Sequence, residues 1–188
     1  MKKVFLITFF LFSSLKVHSL EVTLTQGSVK PTPIAVTELY SKNSQLTKVG
    51  KNISTVISDN LERSGLFLPI DKRSFIQDNE SLSNKPRFED WKLIKAHHLV
   101  SGKITTNSGK ISVELRLFDV FQQKQIVGKK YETNEKNWRR VAHIISDSIF
   151  KNITGEGGYF DTRIVYVAET GPKENKQKRL AIMDQDQS

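Results

Sequence analysis

The stretch of residues 97–130 constrains the fold most, because its pattern predicts three consecutive β-strands joined by two short turns. Residues 99–105 are largely apolar and β-branched, and residues 111–117 alternate strictly, with aliphatic side chains at every second position. Between them, Gly109 can adopt the positive φ that a tight hairpin turn requires. The third strand, residues 125–131, carries lysines, as edge strands often do. The result is an antiparallel sheet whose buried face needs a cover of helices.

Helical spacing of apolar residues supplies that cover. A first helix is predicted from about residue 46 to Gly65 as its C′ glycine, and a short second helix over residues 88–94. The third helix ends at Gly155 and takes Asn134 or Asn137 as its N-cap. Its apolar stripe consists of Trp138, Val141, Ala142, Ile145, Ile149 and Ile153. The chain is therefore predicted to have an α/β (α+β) fold, in which a mixed β-sheet is packed by two to three helices.

The remaining segments are less regular. Residues 34–36 are fully apolar and predict a buried strand, whereas residues 67–70 predict an extended connection. Residues 74–76 predict a short strand, and residues 77–85 predict a polar loop. After the glycine-rich junction at residues 155–158, two further strands are predicted over residues 159–168 and 179–184, separated by a charged loop. These last strands resemble the opening of a second domain.

The N-terminus has the form of a secretory signal peptide. Lys2 and Lys3 precede a nine-residue apolar region at residues 4–12, and Ser19 is a small residue at the expected −1 position. The sequence predicts cleavage between Ser19 and Leu20. The apolar region is too short to span a membrane, which takes about 20 residues, and no later segment is a candidate. The mature chain is therefore expected to be soluble, exported and periplasmic, with residues 1–19 removed.

Composition narrows the function. The absence of cysteine excludes disulfides, thiolate nucleophiles and cysteine-ligated metals. Without residues 1–19, 26 basic residues face 20 acidic ones, and residues 124–151 hold seven Lys or Arg against three Asp or Glu. A nucleic-acid surface would be expected to interleave aromatic residues with these charges or to show a known motif. The basic residues of this stretch are therefore interpreted as a solvated helix face and edge strand, and no nucleic-acid partner is predicted.

No catalytic or cofactor motif is present in the sequence. His97 and His98 are adjacent on a predicted strand and point to opposite faces, so they do not easily ligate one metal. Residues 155–158 precede a strand instead of joining a strand to a helix, which is the wrong context for binding phosphate. The carboxylates form no convincing acid and base pair. The chain is predicted to be no enzyme, with no catalytic residue, cofactor or metal.

The start of the predicted mature chain has its own β pattern. It alternates apolar and polar residues and ends at a glycine; its members are Leu20, Glu21, Val22, Thr23, Leu24, Thr25, Gln26 and Gly27. We call residues 20–27 the N-terminal segment. Such a strand pairs within its own sheet or is donated to the sheet edge of a partner. The sequence pattern leaves both possibilities open.

Several stretches resemble one protein family. They are the N-terminal segment followed by residues 33–36, the Ile-Ser-Asp-Asn-Leu-Glu-Arg-Ser-Gly-Leu-Phe stretch of residues 57–67, the Val-Ser-Gly of residues 100–102, and the Gly-Tyr-Phe-Asp-Thr-Arg-Ile-Val-Tyr-Val stretch of residues 158–167. In this order and spacing the chain resembles the amino-terminal portion of the TolB family, periplasmic proteins of the Tol-Pal cell-envelope system. The resemblance extends over residues 20–184.

The resemblance implies an α/β domain at residues 20–157, followed at residues 158–188 by the first two strands of a truncated six-bladed β-propeller. The propeller's repeated Ser-Pro-Asp-Gly segments are missing here. In the family, the mature N-terminus binds the inner-membrane protein TolA, and the propeller binds the lipoprotein Pal. The resemblance thus implies a non-enzymatic adaptor that binds TolA through the N-terminal segment, supports outer-membrane integrity and has lost Pal binding with the propeller.

Three alternatives remain open at this stage. The chain is a fragment or a truncated, non-functional gene product instead of a separate working domain; it is an exported basic domain that binds anionic envelope polymers; or it is an exported hydrolase of small molecules. Salt-sensitive binding to anionic polymers would favour the second. A deep polar pocket with converging ionisable groups would favour the third.

Overall fold

A five-stranded mixed sheet in the order β2-β1-β3-β4-β5 forms the centre of the computed structural model, which describes residues 30–186. The strands of this sheet are β1 Thr32–Val36, β2 Phe67–Pro69, β3 His98–Asn107, β4 Lys110–Asp119 and β5 Lys124–Thr133. The helices are α1 Ser44–Arg63, α2 Asn79–Asn84, α3 Phe88–Leu93 and α4 Trp138–Thr154. A separate two-stranded sheet consists of β6 Arg163–Thr170 and β7 Gln177–Asp184. The predicted α/β fold with a mixed sheet is confirmed.

The antiparallel centre follows the predicted hairpins. β3 pairs with β4 along its whole length, from His98 opposite Asp119 to Asn107 opposite Lys110. Ser108 and Gly109 close this hairpin with φ values of 48° and 76°, the two positive values that a type I′ turn requires. β1 joins the other side of β3 in parallel, and β2 joins β1 in parallel. The sheet is therefore mixed: β1 and β2 run parallel to β3, whereas β3, β4 and β5 are antiparallel neighbours.

The two long helices cover one face of the sheet. Asn43 is the N-cap of α1, and its side chain accepts a hydrogen bond from the Gln45 amide at 2.9 Å. Gly65 follows its C-terminus at φ 72°, and Gly155 follows α4 at φ 82°, as predicted. The predicted N-cap of α4 is correct only in position, because Asn137 makes no side-chain cap hydrogen bond. A 3₁₀ turn, Glu135–Asn137, leads into that helix instead.

A smaller second core lies on the other face, beneath α2 and α3. Trp91 is 1% exposed and packs with Leu82, Leu99 and Phe118, and its Nε1 donates to Gln77 Oε1 at 3.2 Å. Trp91 is thus a core anchor. Both faces of the sheet near β3 are therefore covered.

Three local predictions are wrong. Residues 77–85 contain the helix α2, because the Asp78 side chain accepts from the Ser81 amide at 2.9 Å and caps it. Residues 74–76 form no strand and follow a 3₁₀ turn, Lys72–Ser74. Residues 67–69 are the strand β2 instead of a connection, because Phe67 pairs with Thr32, a partner far away in sequence.

Substitution of Gly102 tests the close packing at the centre of the sheet. A Cβ at this position would lie 2.1 Å from the Glu114 backbone oxygen and 2.9 Å from Leu39 Cδ2. Gly102→Ala is expected to lower the free energy of unfolding by about 1 to 3 kcal/mol, the usual cost of overpacking. Urea denaturation measures it. The control is Gly157→Ala, where a Cβ meets nothing within 4 Å, so equal losses in the two variants would contradict this packing.

Candidate functional site

The predicted binding segment and cleavage site, residues 19–27, lie outside the described residues. The structure does show where the chain enters the sheet. The Thr32 amide donates to the Leu66 carbonyl at 2.9 Å, and Thr32 is the first residue of β1 to pair with β2. β3 begins to pair with β1 only at Ile34, opposite His98. Within residues 30–186, no strand of the sheet extends past the start of β1.

A buried polar cluster joins α1 to α4. Arg63 Nη2 donates to Asn60 Oδ1 at 3.2 Å, and this bond fixes the orientation of the amide because a guanidinium only donates. Asn60 Nδ2 then donates to His143 Nδ1 at 2.9 Å and to Ser146 Oγ at 3.0 Å. Since Nδ1 of His143 accepts, the neutral ring carries its proton on Nε2.

The same cluster holds the end of β7. His143 Nε2 lies 3.4 Å from Asp186 Oδ2, and Arg139 Nη2 lies 2.5 Å from the same oxygen. Arg63 Nη1 donates to the Gln185 carbonyl at 3.5 Å. The Asp186 side chain is 6% exposed, so its ion pair with Arg139 is largely shielded from water. The final described residues are thus bound to both long helices. We use the name polar clasp for the side chains of Asn60, Arg63, Arg139, His143, Ser146 and Asp186.

The polar clasp does not favour a metal. His143, Asp184 and Asp186 offer ligand atoms that lie within 4.8 Å of one another. However, Nε2 of His143 carries a proton in the hydrogen-bonded arrangement, and a metal ligand needs a free lone pair there. The Arg139 cation already balances the Asp186 carboxylate. The geometry therefore fits a structural ion pair.

A second contact fixes the start of the hairpin. Asp147 accepts hydrogen bonds from the Phe160 amide at 2.7 Å and from the Asp161 amide at 3.1 Å, and Arg140 pairs with Asp161 at 3.3 Å. A Cβ on Gly158 would lie 2.2 Å from Asp147 Oδ1, so this close approach requires glycine. Phe160 is fully buried. Both ends of the hairpin are therefore fastened to α4.

The hairpin itself is largely uncovered. Val165 pairs with Ile182 and Val167 with Leu180, which places these four side chains on one face. They are 62%, 64%, 55% and 79% exposed, respectively. Ile164 and Tyr166 lie on the opposite face and are also exposed. The apolar side chains of β6 and β7 therefore lack the burial that stabilises the central sheet.

The adjacent histidines lie elsewhere. His97 precedes β3 and is exposed, and its ring contacts that of Phe121 edge-on at 5.0 Å between centroids. His98 is the first residue of β3; burial lowers its pKa, and the nearby Asp119 carboxylate partly opposes this shift. The structure brings neither of them to the polar clasp.

Sequence reasoning missed the polar clasp. The one local signal was the spacing of Arg139, His143 and Ser146, which places three polar residues on one helix face next to an apolar stripe. Asp186 lies 47 residues beyond Arg139, so no local pattern connects the two. Among the described residues, no helix combines the length and apolarity that crossing a membrane requires.

Comparisons with known proteins agree on one family. The family model of the TolB amino-terminal domain matches residues 20–126. The Tol-Pal system protein TolB of Paramagnetospirillum magneticum is 49% identical over 166 residues, which is 88% of this chain and 37% of that protein. The Tol-Pal system protein TolB of Pelagibacter ubique is 45% identical over 192 residues, which is 97% of this chain and 43% of that protein.

A solved structure supports the same fold. The crystal structure of TolB from Acinetobacter baumannii matches with a TM-score of 0.70 at 23% identity, over 84% of this chain and 37% of that one. The present chain spans about two fifths of the length of the two sequence relatives.

Asn60 provides the test of the polar clasp. Asn60→Ala removes the donor to His143 and the acceptor for Arg63 in a buried site. It is expected to lower the free energy of unfolding by about 1 to 3 kcal/mol, the cost of leaving buried polar groups unpaired. The control is Asn52→Ala, a half-buried site on the same helix, with an expected change within about 0.5 kcal/mol. Equal urea midpoints for the two variants would show that the network contributes nothing.

Proposed function

The chain belongs to the TolB family of the Tol-Pal system, and we propose that it acts there as a non-enzymatic periplasmic adaptor domain that binds TolA and supports outer-membrane integrity. One observation carries this proposal: the match to the TolB amino-terminal domain begins at Leu20. Leu20 is also the residue at which cleavage after Ser19 would leave the new N-terminus. The intact mass of the exported chain checks that cleavage.

The N-terminal segment is proposed as the TolA-binding element. Among the strands that the structure describes, none lies beside the line of β1 continued backwards, since β2 begins opposite Thr32 and β3 opposite Ile34. The described part of the sheet thus offers a segment on that line no pairing partner. An extended segment with free hydrogen-bonding groups on both sides is suited to strand addition on a partner.

The placement of ionisable groups supports a non-enzymatic role. Arg139 is paired with Asp186, Arg140 with Asp161 and Lys103 with Glu114. A cleft of about 510 Å³ is lined by two lysines, Lys42 and Lys103, and by hydroxyl and amide side chains, without a carboxylate or histidine to act as a base. A hydrolase site is therefore disfavoured.

The pairing of charges also disfavours the alternative of an anionic-polymer binder. Three of the seven basic residues in the stretch 124–151 are paired: Lys130 with Glu132, Arg139 with Asp186 and Arg140 with Asp161. Paired cations have less charge available for a polyanion. Salt-dependent binding to anionic lipid vesicles would revive this alternative.

Residues 158–186 are proposed to be the start of a β-propeller. Their two strands expose apolar side chains on both faces, as an incomplete blade would, because a blade is normally a four-stranded sheet packed between neighbours. Binding of Pal, which the family resemblance assigns to the propeller, is therefore not proposed for these residues.

The TolA proposal is tested by changing one face of the N-terminal segment. Val22 and Leu24 share a face in an extended strand, so Val22→Asp with Leu24→Asp should abolish binding to the soluble part of TolA. The expected loss is about 1.5 to 3 kcal/mol for each apolar side chain. Isothermal titration calorimetry measures the binding, and circular dichroism should show an unchanged fold.

The matched control places the same charges on the other face. Thr23→Asp with Thr25→Asp adds two carboxylates to the segment but keeps Val22 and Leu24, so most of the affinity should remain. Wild-type affinity in the Val22 and Leu24 double variant would rule out the N-terminal segment as the binding element.

A further inference from the structure

Among residues 30–186, the outer part of β3 has a sheet partner on one side only. β4 pairs with β3 as far as Asn107. On the other side, β1 pairs with β3 only up to Val100, and the chain returns for one isolated bridge between Tyr40 and Lys103. It then turns away into α1, which begins at Ser44. Beyond this bridge, no described residue pairs with this edge of β3, which lies at the end of the sheet opposite to the start of β1.

The hydrogen bonds of Tyr40 show how an added strand would pair with this edge of β3. The Tyr40 amide donates to the Gly102 carbonyl at 3.0 Å, and the Tyr40 carbonyl accepts from the Ile104 amide at 2.9 Å. Backbone groups alternate direction along a strand, so the Ile104 carbonyl and the Thr106 amide point to the same side. Neither has a hydrogen-bond partner there within residues 30–186. One residue of a strand parallel to β3 would satisfy both.

A cleft lies at this edge. Its volume is about 510 Å³, within the range of ligand sites in proteins. The end of α2 supplies Ser83 and Asn84, the segment before α1 supplies Lys42, and buried apolar side chains supply the floor at Leu46 and Ile104. The cleft is thus apolar beneath, polar at its walls and open along a strand edge.

The charges in the cleft indicate the kind of strand. Lys42 is exposed and makes no ion pair within the described chain, whereas Lys103, which also lines the cleft, pairs with Glu114 at 3.3 Å. Successive side chains of an added strand point to opposite faces of the sheet. A strand with an apolar side chain toward Leu46 and acidic neighbours that can reach Lys42 therefore matches the floor and the charge of the cleft.

We propose that this edge of β3 binds an extended segment of a partner protein that runs parallel to β3 and alternates apolar and acidic residues. The main-chain bonds to Ile104 and Thr106 would supply affinity, and Lys42 would select the charge. The site includes no residue of the N-terminal segment or of the hairpin. The proposal therefore does not depend on the TolA proposal.

The test uses a defined probe, the capped peptide Val-Glu-Val-Glu-Val, titrated into the ¹⁵N-labelled mature chain. The Thr106 amide resonance should shift and saturate, and its hydrogen exchange should slow at least tenfold. The capped peptide Val-Lys-Val-Lys-Val should bind at least tenfold more weakly. An unchanged Thr106 resonance, equal binding of the two peptides, or a response confined to the edge of β5 would overturn the proposal.

Variants separate the main-chain contact from the charge. Thr106→Pro removes the amide that faces the cleft and spares the bonds to β4, so affinity should fall about threefold to tenfold, the value of one hydrogen bond. Thr106→Ala keeps the amide and should bind like the wild type. Lys42→Glu should reverse the preference between the two peptides. If the Thr106→Pro variant fails to fold, the peptide preference of Lys42→Glu tests the proposal in its place. An unchanged preference in this variant would refute the role of the lysine.

Discussion

The pairing of β3 on both of its sides is the constraint on which the rest of the structure depends. β3 bonds to β4 through ten residue pairs and to β1 through three, so it joins the antiparallel and parallel parts of the sheet. Its side chains enter both cores, with Val100 beneath the long helices and Leu99 beneath the short ones. Every helix that packs on the sheet therefore packs, directly or through a neighbour, on this strand.

The helices α1 and α4 position the hairpin of β6 and β7. α1 and α4 bury Ile57 and Ile145 without exposure, and the polar clasp lies at one end of their interface. Asp147 and Asp186 fasten the two ends of the hairpin to that interface, whereas β6 and β7 expose most of their apolar side chains. The hairpin is thus attached at its base by polar contacts and by the buried Phe160 ring, and the stability of the domain comes from the sheet and its helices.

Sequence patterns predicted the parts of the fold that local periodicity controls. The hairpin at Gly109 and the ends of the long helices at Gly65 and Gly155 are confirmed, because each depends on nearby residues. Strand β2 and the polar clasp depend on partners far away in sequence, which no local pattern reveals. Helix α2 was missed although Asp78 carries an ordinary capping signal, since its surroundings are polar. Alternation predicted a strand at residues 20–27 and the family resemblance its partner, but these residues lie outside the described part of the chain.

We infer that a self-supporting domain carries its recognition element in the segment ahead of β1. Amide hydrogen exchange of the mature chain, with and without the soluble part of TolA, tests it most directly. The account predicts strong protection of residues 99–117, weak protection of residues 180–183, and new protection on adding TolA that is confined to residues 20–27. Equal protection of the sheet and the hairpin, or new protection in the hairpin alone, would contradict it.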